Sequence, residues 1–356
     1  MTGHRGRIVG ACLGLQLGLG LGLAFGGGAA VGQGEPPAAG EDAVSRSELR
    51  ERAIDLLLKM SDDENAMVRA NAIEGLVAVP TRLSGVIPRG LRDPNAGVRS
   101  VSAMAIGKAG LCDLAGLCEP LLHDGSAFAR ISAIYAQSSC GDDGRVQDLA
   151  SYLLDGETAR VRSQAAFVLG EMGNTSASPL LRHAASRRME NATDAERRAM
   201  QLQIAEALFK LGDESQRDIL VAALFVSRPE DLEGAALAAQ ILGEMRSRRS
   251  EAELVNLLAF RDERGHAMPA EVRLAAGIAL AKLGRGDSAS VAGEYLDSEN
   301  PLLRSQAAIL LGEAGGRGSL GELRRMLDDP NPLVRVSAGS ALLSATGSDG
   351  NSGIRR

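Results

Sequence analysis

The 356-residue chain has no tryptophan, three tyrosines and six phenylalanines. A protein so poor in aromatic rings lacks the stacking platforms that hold single-stranded nucleic acid or a flipped base. Histidine is nearly as scarce: His123, His183 and His266 are neither followed by Glu nor paired at i, i+4 spacing. HExxH, CxxC, a Gly-rich loop ending in Lys-Ser or Lys-Thr, and Gly-x-Ser-x-Gly are all absent, which removes the common signatures of metal, thiol, nucleotide and serine chemistry. The net charge of −6 disfavours a phosphate backbone as partner. No catalytic, metal-ligating or cofactor-binding set is therefore expected, and His266 reads as a turn residue.

What the chain has in abundance is glycine, 43 in all, and a phrase. It reads VRSQAAFVLGEMG from Val161, VRLAAGIALAKLG from Val272, LRSQAAILLGEAG from Leu303 and VRSVSAMAIGKAG from Val98, with looser copies from Val68, Ala129, Met200, Gly234 and Val334. The second residues of these nine copies are separated by 30, 31, 32, 39, 34, 38, 31 and 31 positions. A helical phrase at that period is the signature of stacked helix pairs. The spacing predicts an all-α fold, a right-handed α-solenoid of about nine antiparallel helix pairs, with Ala165, Ala166, Gly170, Ala307, Ala308 and Gly312 at the crowded contacts between neighbours.

The turns carry a second pattern. Asp63, Asp93, Asp124 and Asp329 each lie six residues before Arg69, Arg99, Arg130 and Arg335, and two of them open Asp-Pro-Asn runs suited to a turn and a helix start. Repeated in successive units, acid and base can form a structural ladder along the stack. Gln201 and Ala235 replace the Arg in units five and six, where the ladder is expected to break.

The VRxxAAxxLG phrase, its preceding Asp and its nine-fold spacing resemble HEAT repeats, in particular the short bacterial repeats of phycobilisome lyases, over Ser47 to about Thr346. The resemblance implies the fold and leaves activity open. The His-Glu pairs of the iron-dependent hydroxylase built from such repeats are missing here, and so are the basic groove and tryptophan of the related DNA-repair enzymes. A lyase-like role in attaching a tetrapyrrole gains no residue-level support.

Residues 1–32 read as a signal peptide: His4, Arg5 and Arg7 precede an uncharged stretch from Ile8 to Val31, and Ala30-Val31-Gly32 is an acceptable cleavage site. Retention as a membrane anchor is the alternative, since 24 uncharged residues can span a bilayer and Gly10, Gly14, Gly18, Gly22 and Gly26 recur every four positions. Cleavage would make the mature chain more acidic. Residues 33–46 read as a flexible linker, 47–346 as the repeats and 347–356 as a disordered tail. In an exported chain Cys112, at the start of the first helix of unit three, and Cys140, at the end of its second, come back together in an antiparallel pair and are placed for a disulfide. Pairing of Cys112 with Cys118, or three small core thiols, are the alternatives.

Two surfaces are expected to bind. Positions four, seven and eleven of the phrase share one helix face, and position seven there places Met104, Tyr135, Phe167, Ile278 and Ile309 on a concave wall expected to be wet. Insertions at residues 186–199 and 260–270 should project from one edge, carrying Arg187, Arg188, Arg197 and Arg198 on the first and Arg261 and Arg264 on the second, with Arg246, Arg248 and Arg249 nearby. Such an edge suits an acidic partner. The reading is an exported, secreted or periplasmic, non-catalytic scaffold for a protein or peptide. A membrane-anchored adaptor, and an enzyme or lyase-like protein with a cryptic site, are the alternatives.

Overall fold

In six of the nine units the second helix begins where a side-chain cap satisfies one of the first free N–H groups. Asn65, Asn95 and Asn300 accept from the backbone N–H two residues on. Asp63 and Asp93 in turn accept from the N–H of Asn65 and Asn95, so the Asp-x-Asn run holds both sides of the turn. The phrase ends on a left-handed residue, φ 66° at Gly110 and 93° at Gly284, where a side chain would be strained. Unit six has Arg246 there, at φ 48°, the non-glycine exception among the described residues.

The computed structural model describes residues 41–347. Its second helices run Ala66–Gly75, Ala96–Ala109, Ala127–Ser139, Ala159–Glu171, Asp194–Lys210, Leu232–Glu244, Ala270–Lys282, Pro301–Ala314 and Pro332–Gly347. Each packs on the next, and the first elements of the units lie outside them. The described residues hold no β-strand beyond one isolated bridge between Arg261 and Ala267. The fold is all-α and HEAT-like. The first elements are uneven: unit three replaces the helix with a 3₁₀ segment, Cys112–His123, which contains Pro120 and so cannot complete an α-helical ladder.

A solenoid has two free ends, and here they meet. The last inner helix packs against both helices of unit one, Glu41–Met60 and Ala66–Gly75, so that unit one follows unit nine and the stack closes into a ring. Arg50 donates to Leu343 O and Thr346 Oγ1, Arg52 pairs with Asp328 at 2.6 Å, and Leu57 lies against Gly339. The glycines of the phrase set the spacing of this wall. A Cβ on Gly170 would sit 2.8 Å from Ala207 Cα, and one on Gly312 2.7 Å from Ala341 Cβ. At the closing joint the same kind of approach brings Gly75 against Ser340.

The domain boundaries shift in one place. The first helix starts at Glu41, inside the stretch read as linker, because Glu41 to Arg52 contains no Gly or Pro and continues the helix of unit one backwards. The signal peptide, the rest of the linker and the tail from residue 348 lie outside the described residues. Among those described, no helix is long and apolar enough to cross a membrane.

Candidate functional site

The Asp–Arg ladder exists where the sequence supplies both partners. Arg69 grips Asp93 through Nε and Nη2 at 2.8 and 2.7 Å, while its Nη1 donates to the carbonyls of Asp63 and Glu64. Arg99 repeats this with Asp124, and Arg304 with Asp329. Each acid therefore gives its carboxylate to the preceding unit's Arg and its carbonyl to its own. The Arg99 guanidinium holds the Asp124 carboxyl below its usual range. The ladder stops earlier than the Arg pattern indicates. Arg130 finds Tyr152 Oη instead of a carboxylate, and the residue six before Arg162 is Gly156, which offers only a carbonyl.

The inner wall overturns the expectation of a wet groove. Met104 is 7% exposed, Tyr135 6%, Phe167 4% and Ile278 8%, and Ile309 is half-buried. Neighbouring units cover them: the Tyr135 ring lies against Gly107 of the preceding unit, and Lys210 of the following unit lies over Phe167. Lys210 donates to Glu171 at 2.6 Å and Glu206 at 2.5 Å, and its ammonium lies 4.5 Å from the Phe167 ring centre. Gln203 donates to Glu206. Lys282 lies 2.5 Å from Glu244 and 3.7 Å from Glu313, and Lys108 3.5 Å from Glu74. Burial works against the Lys210 charge, but Glu206 and Glu171 outweigh it and raise its pKa. Burial pushes Glu244 up, and Lys282 only partly offsets that. The belt was hidden in the sequence because its members are 30 to 40 residues apart, although the Lys/Glu alternation at position eleven, Glu171, Lys210, Glu244, Lys282 and Glu313, was there to be read.

The arginines of the first insertion are mostly engaged. Arg197 turns back to the carbonyls of Met189 and Ala192 and to Asp194, fixing its own loop. Arg198 reaches Asp231 of the next unit at 2.6 Å, and Arg187 lies 3.4 Å from Asp155. Arg188 is exposed. The expected free basic edge is thus reduced, because acids of neighbouring turns neutralise it. In the second insertion His266 is exposed, its ring 3.0 Å from Asp262 in a turn closed by the Arg261–Ala267 bridge.

Sequence reasoning missed the exposed apolar residues of units six and seven. Phe225 is 70% exposed, Ile219 48% and Phe260 42%. Phe225 follows helix Gln216–Ala223 and Phe260 follows Glu251–Ala259, two outer helices that are neighbours, as Arg217 on the first reaches Arg249 O and Glu253 on the second. Both phenylalanines therefore stand at the same ends of adjacent outer helices. The signal was their place just past the last core residue of a first helix, where other units carry Asp, Arg or His.

Cys112 and Cys140 are joined in a disulfide, with 5.2 Å between their Cα atoms. Cys118 is a free, fully buried thiol, and burial pushes its pKa up to about 12. Among the described residues no group of three or more His, Cys, Asp or Glu is placed to hold a metal ion.

HEAT repeats match residues 265–343, and the PBS lyase HEAT-like repeat matches residues 161–187. No curated protein matches the chain. Among solved structures, human deoxyhypusine hydroxylase in complex with glycerol is similar at 16% identity and a TM-score of 0.37, covering 75% of this chain and 98% of that one. The complex of CpcE and CpcF of phycocyanin lyase from Nostoc sp. PCC7120 is similar at 15% identity and a TM-score of 0.41, covering 81% and 98%. With the repeat phrase, the stacked helix pairs and the two family matches together, the chain is a HEAT-like repeat protein.

Proposed function

We propose that this protein is an exported, non-catalytic interaction scaffold, and that in its closed form it meets a protein or peptide partner at the outer edge of units six and seven. The observation that carries the reading is the pair Phe225 and Phe260, exposed at matching ends of two neighbouring helices, the first of which also exposes Ile219. Exposed aromatic side chains gathered on a rigid support are what interfaces bury. Arg188 and Arg264, exposed on the two insertions, favour a partner with acidic residues beside its apolar ones. A non-catalytic role is supported by the charged groups themselves: the ladder and belt pairs tie one unit to the next.

Co-purification from the native host, comparing wild type with the Phe225→Ser/Phe260→Ser double variant, tests the reading. The variant should keep its stability to within about 0.5 kcal/mol, as surface changes do, and lose the partner. An unchanged set of bound proteins at low salt would overturn it. Export is carried by the basic head and apolar run of residues 1–32, and N-terminal sequencing should find Gln33 first. An intact Met1 in a salt-washed membrane fraction would make the protein an anchored adaptor instead.

A further inference from the structure

We propose that the belt of glutamates and lysines on the inner wall is a proton-operated clamp: Glu244 takes up a proton as the medium turns mildly acidic, and the protonated belt holds units six, seven and eight together more firmly. The clamp stands whether or not the outer edge binds a partner, since only the inner wall is involved. Its composition carries the inference. Four carboxylates, Glu171, Glu206, Glu244 and Glu313, share two ammonium groups: Lys210 lies 2.6 Å from Glu171 and 2.5 Å from Glu206, and Lys282 2.5 Å from Glu244 and 3.7 Å from Glu313. Two negative charges are therefore in excess among groups that are largely buried, where water screens them poorly.

Glu244 is where a proton brings most relief. It ends helix Leu232–Glu244, so its charge meets the negative pole of that helix, whereas Lys210 and Lys282 end theirs with the favoured sign. The cation beside it, Lys282, is shared with Glu313 from two units on, and Glu206 of the preceding unit adds a second like charge. Arg246, two residues further, is exposed. The other elements against this helix bring Arg217, which is committed to Arg249 O, Asp218 and Glu253, and, at the opposite end, Glu230 and Asp231. Burial, with Glu313 and Glu206 adding to it, pushes the Glu244 carboxyl above the usual glutamate range, and Lys282 offsets only part of that. Between that range and the raised value the folded chain binds a proton that the unfolded chain does not, so stability rises as pH falls through the window and the gain is absent above it. The ladder acids work the other way, in a lower window: Asp93, Asp124 and Asp329 are held below the usual range, and their contribution is lost only as pH falls beneath it.

Urea unfolding of the full chain from about pH 8 down to about pH 5 reads the clamp. The wild-type midpoint should rise as the pH falls. Glu244→Gln, which has the shape of the protonated form, should start above wild type at about pH 8 and rise less. The histidines are common to both chains, so the difference between the curves belongs to the belt. Glu313→Gln keeps Glu244 but gives it Lys282 undivided, and should move the rise to lower pH. Carbon-13 NMR of the Glu244 side-chain carboxyl in the wild-type chain should place its titration above the ordinary glutamate range. Parallel curves for wild type and Glu244→Gln, a rise unmoved by Glu313→Gln, or a carboxyl that titrates in the ordinary range would each overturn the clamp.

Discussion

Replacing Gly312 with alanine sets two effects of known size against each other. Alanine in a helix interior is favoured over glycine by about 0.8–1 kcal/mol, so on backbone grounds Gly312→Ala should stabilise Pro301–Ala314. The new methyl, however, would lie 2.7 Å from Ala341 Cβ, 2.8 Å from its Cα and 2.9 Å from its carbonyl oxygen. Two of these are backbone atoms that no rotamer change can move, and ordinary carbon contacts need about 3.5–4 Å. The two helices must therefore separate by most of an ångström along a buried seam, and overpacking of this kind costs about 1–3 kcal/mol. Crowding should win, leaving a net loss of about 1–2 kcal/mol. Gly321→Ala is the matched control. It lies in helix Arg317–Met326, is exposed, and has nothing within 4 Å of an added Cβ, so it should gain the propensity term alone. Urea unfolding followed by circular dichroism would separate the two. Adding Ala341→Gly to Gly312→Ala should recover only part of the loss, since it removes the Cβ contact and leaves the close approaches to the Cα and carbonyl oxygen of residue 341. If Gly312→Ala were as stable as wild type, or if Gly321→Ala lost as much, close helix approach would not be what the phrase's glycine provides.

Phe167→Ala should cost about 3–5 kcal/mol in the same urea melts, comparable to Leu169→Ala, because both side chains are buried and Phe167 also covers Lys210; a loss below about 1 kcal/mol would return Phe167 to an open groove. The Asp124 carboxyl has a depressed pKa in the folded state, so its contribution is present above the ordinary carboxylate range and lost as pH falls through the folded value. Asp124→Asn should therefore flatten the acid limb of the stability–pH curve while lowering stability at pH 7, and parallel curves for variant and wild type would refute the assignment. Cys112 and Cys140 are 28 residues apart, and removing their bridge with Cys112→Ser/Cys140→Ser should cost about 3–4 kcal/mol by loop entropy. Wild type melted with reductant should match the double variant melted without it.

The chain's own periodicity determined the architecture. Nine copies of one phrase state how many helix pairs there are, which faces are apolar and where neighbours touch, because stacking is a nearest-neighbour matter and each unit carries the information for its own contacts. The Gly170–Ala207 and Gly312–Ala341 approaches, and the ladder at Arg69, Arg99 and Arg304, were legible for that reason. The position-seven row was legible as a row too, but its solvation was not. Whether Met104, Tyr135, Phe167 and Ile278 line an open groove or a closed wall depends on how closely neighbouring units approach over them. Closure of the ring depends on curvature summed over nine units. A few degrees at each interface, set by side chains that a single phrase does not distinguish, decide whether Leu57 and Gly339 ever meet. The same holds for the arginines of the first insertion. Their charge is written in the sequence, but the acids that neutralise them, Asp155 and Asp231, come from the turns of the preceding and following units, and only the packed structure brings those turns together. Local physics, repeated, is a property of the sequence here; closure, and what it buries, is a property of the sum.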